Sequence, residues 1–304
     1  MANLKKHEIN KLFKSLIPLL ILAFLGVALF LTNLKENYWE NLSHKLNLSP
    51  VVTNREMEVH FLNVGDADCA YIRCGDYKIL IDAADKEPTE LVCEYLSRLN
   101  VKKLDLIVMS HPHRDHIGQM KSVIDNFEIS KFVQSDIPES ILPTSVTYEN
   151  MLKSLVSKKI NTETLVAGEN LNFGDLKFKV LGPVKSNENL NNCSLVVKVE
   201  YKDVSFLFTG DAEKAEEYSM LKSGRNLNAT VLKVGHHGST TSTTPNFLKA
   251  VCPKYAVISS ESKPNKNSVI KRLEKFCDNV YTTYENGNII FATDGKNIDI
   301  KTEK

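Results

Sequence analysis

Tryptophan is almost missing from this sequence, with Trp39 alone in 304 residues, and neither sign of charge is in surplus: 38 lysines and arginines stand against 37 aspartates and glutamates. A formal net charge of +1 removes the overall electrostatic case for nucleic-acid binding, which rests on a basic excess. It says nothing about local patches. Closely spaced cysteine pairs are also lacking. Cys69, Cys74, Cys93, Cys193, Cys252 and Cys277 show neither a disulfide framework nor the spacing of a structural zinc site, and they read as small buried hydrophobes. Cys69 and Cys74 lie an odd number apart, so on one continuous strand they face opposite ways. With 42% apolar residues, a chain of this length buries a sizeable core without covalent staples.

Near the N-terminus, residues 16–31 run from Leu16 to Leu31 without a charge, and extension through Thr32, Asn33 and Leu34 reaches the roughly 20 residues of a membrane-spanning helix. Lys5, Lys6, Lys11 and Lys14 precede it, which keeps the N-terminus cytoplasmic and sends the rest outward. No small-x-small site follows, because Ala28 is succeeded by Leu29 and Phe30, and no cysteine precedes Cys69 for lipid attachment; an uncleaved anchor is therefore expected over a signal peptide. The expected organisation is a cytoplasmic segment 1–15, a transmembrane anchor 16–34, a juxtamembrane linker 35–54 and a globular domain 55–304. That makes a single-pass cell-membrane protein with its domain extracellular.

From Met57 apolar and polar residues alternate through Val64, and Cys69–Arg73 and Lys78–Asp82 follow after turns at Gly65-Asp66 and Gly75-Asp76, predicting successive strands. Thr89 is the expected cap of a helix bearing Leu91, Val92, Tyr95, Leu96 and Leu99 on one face. The apolar run Leu104–Met109 predicts a buried strand; helices are expected from Gly118 to Phe127 and from Tyr148 to Lys159, with strands at Lys131–Gln134, 163–166 and 176–181. The second half repeats this grammar: strands Ser194–Glu200, Val204–Phe208, Ala229–Val234, Ala256–Ile258 and Val280–Thr283, a helix from Ala212, an amphipathic helix Ser268–Phe276, and a closing hairpin at Asn288–Ala292 after Glu285-Asn-Gly287. Two mixed sheets in series with helices on their outer faces give an α/β four-layer αββα sandwich.

Of eight histidines, His7, His44 and His60 stand alone and read as surface or core residues, whereas five fall in two clusters at the ends of apolar strands. The first is His111-Pro-His113-Arg-Asp115-His116. Residues separated by one can both turn toward a single ion where a loop leaves a strand, so His111 and His113 are expected to hold one metal. Asp115 and His116, on the turn opening the next helix, are expected to hold a second. Imidazole and carboxylate suit zinc or a similar divalent ion, and two-metal hydrolases keep their ions about 3.5–4 Å apart. A second cluster, Gly235-His236-His237-Gly238, follows the strand 229–234, and Asp211 follows the run Phe206–Phe208. Asp211 is placed to bridge both ions. Neighbouring residues on an extended chain point apart, so one histidine of the pair completes the second metal's ligands and the other serves catalysis; His237 is taken as the ligand and His236 as the catalytic partner. Asp115 is counted in both roles.

With Thr209-Gly-Asp211 and Lys233-Val-Gly-His236-His237-Gly-Ser239, the first motif resembles the metallo-β-lactamase superfamily over residues 57–295. Asn63-Val-Gly-Asp-Ala-Asp68, Leu80-Ile-Asp82, Asn192-Cys-Ser194-Leu-Val and Ser259-Ser-Glu261 are similar to the extracellular hydrolase domain of ComEC-type DNA-uptake proteins. The resemblance implies the αββα fold, two divalent ions (zinc, with manganese as the other choice) and hydrolysis of an ester, a phosphodiester first. It also implies that Asp68 and Asp82 brace the site from outside the ligand set. Many superfamily members carry a further histidine for the first metal, but this chain has none from Ile117 to Gly235. Asn191 or Asn192 stands near that place, as in the ComEC-type group. The His-Pro pair of that group is absent near Pro264-Asn265-Lys266, which affects substrate contacts.

The expected protein is thus a membrane-anchored, outward-facing phosphodiesterase or nuclease, acting on DNA or another phosphodiester without a pore of its own. An envelope esterase resembling choline-phosphate esterases ranks second, because an aromatic cage around the cation finds its only tryptophan in the linker. A non-catalytic surface module with a vestigial site ranks third. Lys254, Lys263, Lys266, Lys271, Arg272 and Lys275 read as a solvated helix face before they read as a phosphate-binding edge.

Overall fold

The computed structural model describes residues 55–86, 90–262 and 266–304. The expected anchor at 16–34 and the Thr89 cap lie outside the described residues. Among the described residues no helix is long and apolar enough to cross a membrane.

Period-two alternation makes the core. In Met57–Phe61 the residues Met57, Val59 and Phe61 face a second sheet, while Glu58 and His60 are buried on the opposite side. Ile79 and Ile81 point the same way as Met57, and Leu80 points against the helices. Cys74 packs between the sheets and Cys69 on the outer side, so the two do face opposite ways. All six cysteines are free; five are buried, and Cys252 is exposed at a left-handed helix end.

One sheet has eight strands in the order Ile298–Thr302, Ile289–Thr293, Met57–Phe61, Ala70–Cys74, Tyr77–Ile81, Leu106–Val108, Lys131–Ser135, Asn161–Leu165. The other has seven: Asn279–Thr282, Tyr255–Ile258, Val231–Lys233, Val204–Phe208, Val196–Tyr201, Leu176–Gly182, Asn170–Phe173. Helices Leu91–Arg98, Met120–Asn126 and Val146–Ser157 bury their apolar faces on the first sheet, through Val92, Leu96, Val123, Ile124, Met151 and Leu155. Helices Pro245–Val251 and Lys271–Leu273 cover the second through Phe247, Leu248, Val251 and Leu273. This is the four-layer αββα sandwich, and both sheets are mixed.

The sheets are not in series. Ile289–Thr293 returns to the first sheet and pairs antiparallel with Met57–Phe61, Met57 opposite Thr293. Without it the first strand would expose an unpaired edge. Phe291 then meets Phe61, Phe206, Tyr255 and Tyr281 with ring centroids 5.7–6.1 Å apart, contacts worth about 0.5–1.5 kcal/mol each beyond area burial. The closing hairpin turns at Asp294–Asn297, where the Asp294 carboxylate accepts from the backbone N–H groups of Lys296 and Asn297. Glu285-Asn286 instead belongs to a short helix, Thr283–Asn286.

In each sheet a run of parallel strands ends on the same side of the sandwich. There Ile81 leads to Asp82, Val108 to the first histidine motif, Phe208 to Asp211 and Lys233 to the histidine pair, which is where α/β folds gather ligands.

Candidate metal centre

Asp82 anchors the first half-site from a left-handed backbone, φ 58°. Its carboxylate accepts from Ser110 N at 2.8 Å, Ser110 Oγ at 2.7 Å and His116 Nδ1 at 2.8 Å. With Nδ1 committed, His116 directs Nε2 inward, 3.3 Å from Asp211 Oδ1 and 3.6 Å from Asp115 Oδ2. The following turn requires glycine at Gly118, because a Cβ there would lie 2.1 Å from the backbone nitrogen of Lys86.

His111 is fully buried, with Nδ1 3.2 Å from Ser110 Oγ and 3.4 Å from Ser194 Oγ. Its Nε2 stands 2.9 Å from His113 Nδ1 and 3.8 Å from Asp211 Oδ2. From the second sheet, Asp211 N donates to Ser194 Oγ at 3.0 Å. Gly210 precedes it at φ 50°, against Ser194 and Ser110, so a side chain would not fit. His236 and His237 both occupy the left-handed region, φ 49° and 50°, a backbone cost that clusters at functional sites. His237 Nε2 lies 3.1 Å from Asp115 Oδ2 and 3.7 Å from Asp211 Oδ1, with Nδ1 3.4 Å from Asp68 Oδ1.

Donor atoms of Asp115, His116, Asp211 and His237 all lie within 4.8 Å of one another, as do those of His111, His113 and Asp211. Asp211 belongs to both groups. His236 belongs to neither: Nε2 is 3.7 Å from Asp211 Oδ2, while Nδ1 is 3.2 Å from Thr241 Oγ1 and 3.4 Å from Glu213 Oε1. Asn192 is buried, and its Oδ1 accepts from Glu213 N at 3.1 Å. A third group, Asp68, Asp82 and His116, lies behind the first.

Donor chemistry and unmet hydrogen bonding both fit a divalent cation. His116 Nε2 and Asp211 Oδ1 are buried without a hydrogen-bond partner, a costly state for polar atoms that coordination would relieve. Burial opposes charge on these groups, yet the carboxylates of Asp211 and Asp82 hold the His116 imidazole well above its ordinary value. Burial likewise opposes Asp211, whose value is nevertheless held well below the usual carboxylate range by His116. His111 is pushed well below the ordinary imidazole value by burial, with His116 adding to the effect. A buried neutral imidazole beside charged carboxylates is a donor set ready for a metal.

A family model described as the metallo-beta-lactamase superfamily matches residues 62–262. The chain belongs to that superfamily. The chain is 29% identical over 258 residues to ComE operon protein 3 of Bacillus subtilis (strain 168), an alignment covering 77% of this chain and 33% of that protein. It is 28% identical over 212 residues to Competence protein ComA of Neisseria gonorrhoeae, covering 69% of this chain and 28% of that one. The chain thus spans about a third or less of the curated relatives it matches. Among solved structures, the metallo hydrolase Igni18 from Ignicoccus hospitalis KIN4/I has a TM-score of 0.52 at 16% identity, over 78% of this chain and 99% of that one. Tm1679, a metal-dependent hydrolase of the beta-lactamase superfamily, has a TM-score of 0.52 at 10% identity, over 76% and 98%. At these identities the structural likeness shows the fold. The chain is thus a member of this superfamily that is similar to competence proteins.

Sequence reasoning overlooked Ser110, Glu213 and Lys233. Ser110 was hidden as an ordinary linker between strand and motif. Lys233 left a signal, since it is a lysine inside the otherwise apolar run Val231–Val234. Arg272, grouped above with a basic helix face, donates from Nη1 to Ser242 O and Thr243 O and so ties down the loop after the histidine pair. His60 is a core residue, with Nδ1 2.8 Å from the Tyr95 hydroxyl.

Proposed function

We propose that this chain is a membrane-anchored, outward-facing phosphodiesterase or nuclease that uses two divalent ions, zinc by preference over manganese. The carrying observation is the sharing of Asp211 between two ligand groups, with its Oδ1 3.3 Å from His116 Nε2. His111 and His113 would hold one ion, Asp115, His116 and His237 the other, and Asp211 both. Such ions supply Lewis acidity and a nucleophile active at neutral pH. Asp115 Oδ2 and His237 Nε2 lie 3.1 Å apart and so face the same point of the group. His236 is held by Thr241 and Glu213 with Nε2 at the mouth, 28% of its side chain exposed, a placement suited to giving the leaving group its proton. Likeness to ComE operon protein 3 and Competence protein ComA supports nucleic acid as the phosphodiester. The apolar segment 16–34 with its preceding lysines supports membrane attachment.

The test is a substrate panel on the full chain with added Zn2+ or Mn2+: single- and double-stranded DNA, a chromogenic phosphodiester and a choline-phosphate ester. Phosphodiester cleavage is expected. Asp211→Ala and His113→Ala should lower it by more than the roughly 10- to 100-fold that losing an outer partner of a metal ligand typically costs, with Asp211→Ala the more severe. Cleavage of the choline ester alone would move the assignment to an envelope esterase, and ion binding without any hydrolysis would leave a binding module.

A further inference from the structure

Lys233 ends the strand Val231–Lys233, in which Val231 faces the core between the sheets and Leu232 faces the outer helices. Alternation returns Lys233 to the inner side, at the end of the sandwich where the half-sites meet. Only 4% of the residue is exposed. Its ammonium lies 2.8 Å from Asp68 Oδ1 and 2.9 Å from Oδ2, and donates also to Val234 O at 3.1 Å. The pair joins residues 165 positions apart, one from each half of the fold. A buried ammonium is costly unless it is paired, so a lysine here calls for a reason.

We infer that Lys233 is a positioning residue: by holding Asp68 it fixes the ring of His237 in the ligand group shared with Asp115, His116 and Asp211. This rests on the metal-centre reading above. Asp68 cannot follow another partner, because its N–H donates to Asp115 O at 3.0 Å and its carbonyl accepts from Ala84 N at 2.8 Å. Its carboxylate therefore presents one fixed surface to two groups, the Lys233 ammonium and His237 Nδ1 at 3.4 Å. The Asp68 carboxylate faces Nδ1 as an ion-pair contact without a formed hydrogen bond, and Nε2 on the other side of the ring faces Asp115 and Asp211. His237 sits on left-handed backbone, and its orientation depends on these side-chain contacts. Four carboxylates, Asp68, Asp82, Asp115 and Asp211, converge here, and among the described residues their ion pairs run to histidines and to Lys233. Lys233 is therefore the one permanent side-chain cation among those partners.

The experiment is calorimetric titration of Zn2+ alone into the chelator-treated full chain. Lys233→Met would strand Asp68 in the interior and could prevent folding, so the deciding variant is Lys233→Met with Asp68→Asn, which removes both charges and keeps the shape. The wild type is expected to bind two ions. The double variant should keep one site within about threefold and lose about 10- to 100-fold at the other, the range for outer partners of metal ligands, and Lys233→Arg should recover part of that loss. Wild-type affinity at both sites in the folded double variant, or an equal loss at both, would reduce the pair to a tie between sheets and overturn the inference. A crystal structure of the metal-free double variant decides it independently of any ion: His237 turned away from Asp115 supports the role, and His237 in place rejects it. Failure of the wild type to bind Zn2+ would instead count against the metal-centre reading.

Discussion

The group of Asp115, His116, Asp211 and His237 is braced by carboxylates, whereas the group of His111, His113 and Asp211 is braced by hydroxyls. Asp82 accepts a hydrogen bond from His116, and Asp68 lies 3.4 Å from His237 with Lys233 behind it. His111 has Ser110 and Ser194 at 3.2 and 3.4 Å, and His113 has its contact with His111. Charged partners form hydrogen bonds roughly twice as strong as neutral ones. In the first of these groups His116 is thus held by a charged hydrogen bond, whereas the outer partners of His111 in the second are hydroxyls. The missing histidine between Ile117 and Gly235 deepens that contrast, since among the described residues no further histidine joins His111, His113 and Asp211.

If the contrast governs affinity, the largest effect comes from Asp82→Asn, expected to weaken one of two Zn2+ sites by about 10- to 100-fold. Ser194→Ala should weaken the other by less than about tenfold; comparable losses in calorimetry would erase the distinction. A pH series sharpens it next. In metal-stripped protein the His116 value is raised, so its contribution to stability is full below the ordinary imidazole value of 6.5 and is lost as pH rises through the raised value. Asp211, held below its ordinary 3.8, contributes above that value and loses its contribution as pH falls. Stripped protein should therefore be most stable between these limits and lose stability above them. Zn2+ should reverse the upper slope, because binding requires neutral imidazole; thermal melts with and without chelator read both.

The smallest effect concerns the lightly braced side. Glu216 is buried and accepts from Val184 N at 2.8 Å, on the segment that leads to Ser194. Burial pushes its carboxyl from 4.5 up to about 7, so its contribution is present below 4.5 and is lost as pH rises through about 7. Glu216→Gln should leave melting nearly unchanged below pH 4.5 and raise stability by about 2 kcal/mol or less at pH 8. An equal gain at both values would mean that charge burial is not the cause.

The half-sites were legible for different reasons. His111, His113, Asp115 and His116 crowd six positions at one strand end, so their convergence is local. Asp211 and His237 could be placed only by symmetry of grammar, as residues ending strands in the second half. The return of Ile289–Thr293 to the first sheet was not legible, because an apolar alternating strand fits either sheet and only the open edge of Met57–Phe61 selects its partner. Lys233 was passed over because a lysine at a strand end ordinarily snorkels to water, and no local pattern announces Asp68 from 165 residues away.

Period-two and helical patterning, read from the chain alone, determined the strands, the helices and the family of chemistry, since those depend on neighbours in sequence. The sequence offered His237 over His236 as the ligand without a contact to choose by, and the tertiary structure supplies the contacts: His237 lies with Asp115, His116 and Asp211, and His236 faces Glu213. Two adjacent residues on the same left-handed turn differ in what the opposite sheet places before them: Asp68 and Asp115 stand before His237, and among the described residues the ion pairs of His236 run to Asp211 and Glu213. Contacts across the sandwich carry that choice, and they exist only once both sheets have closed.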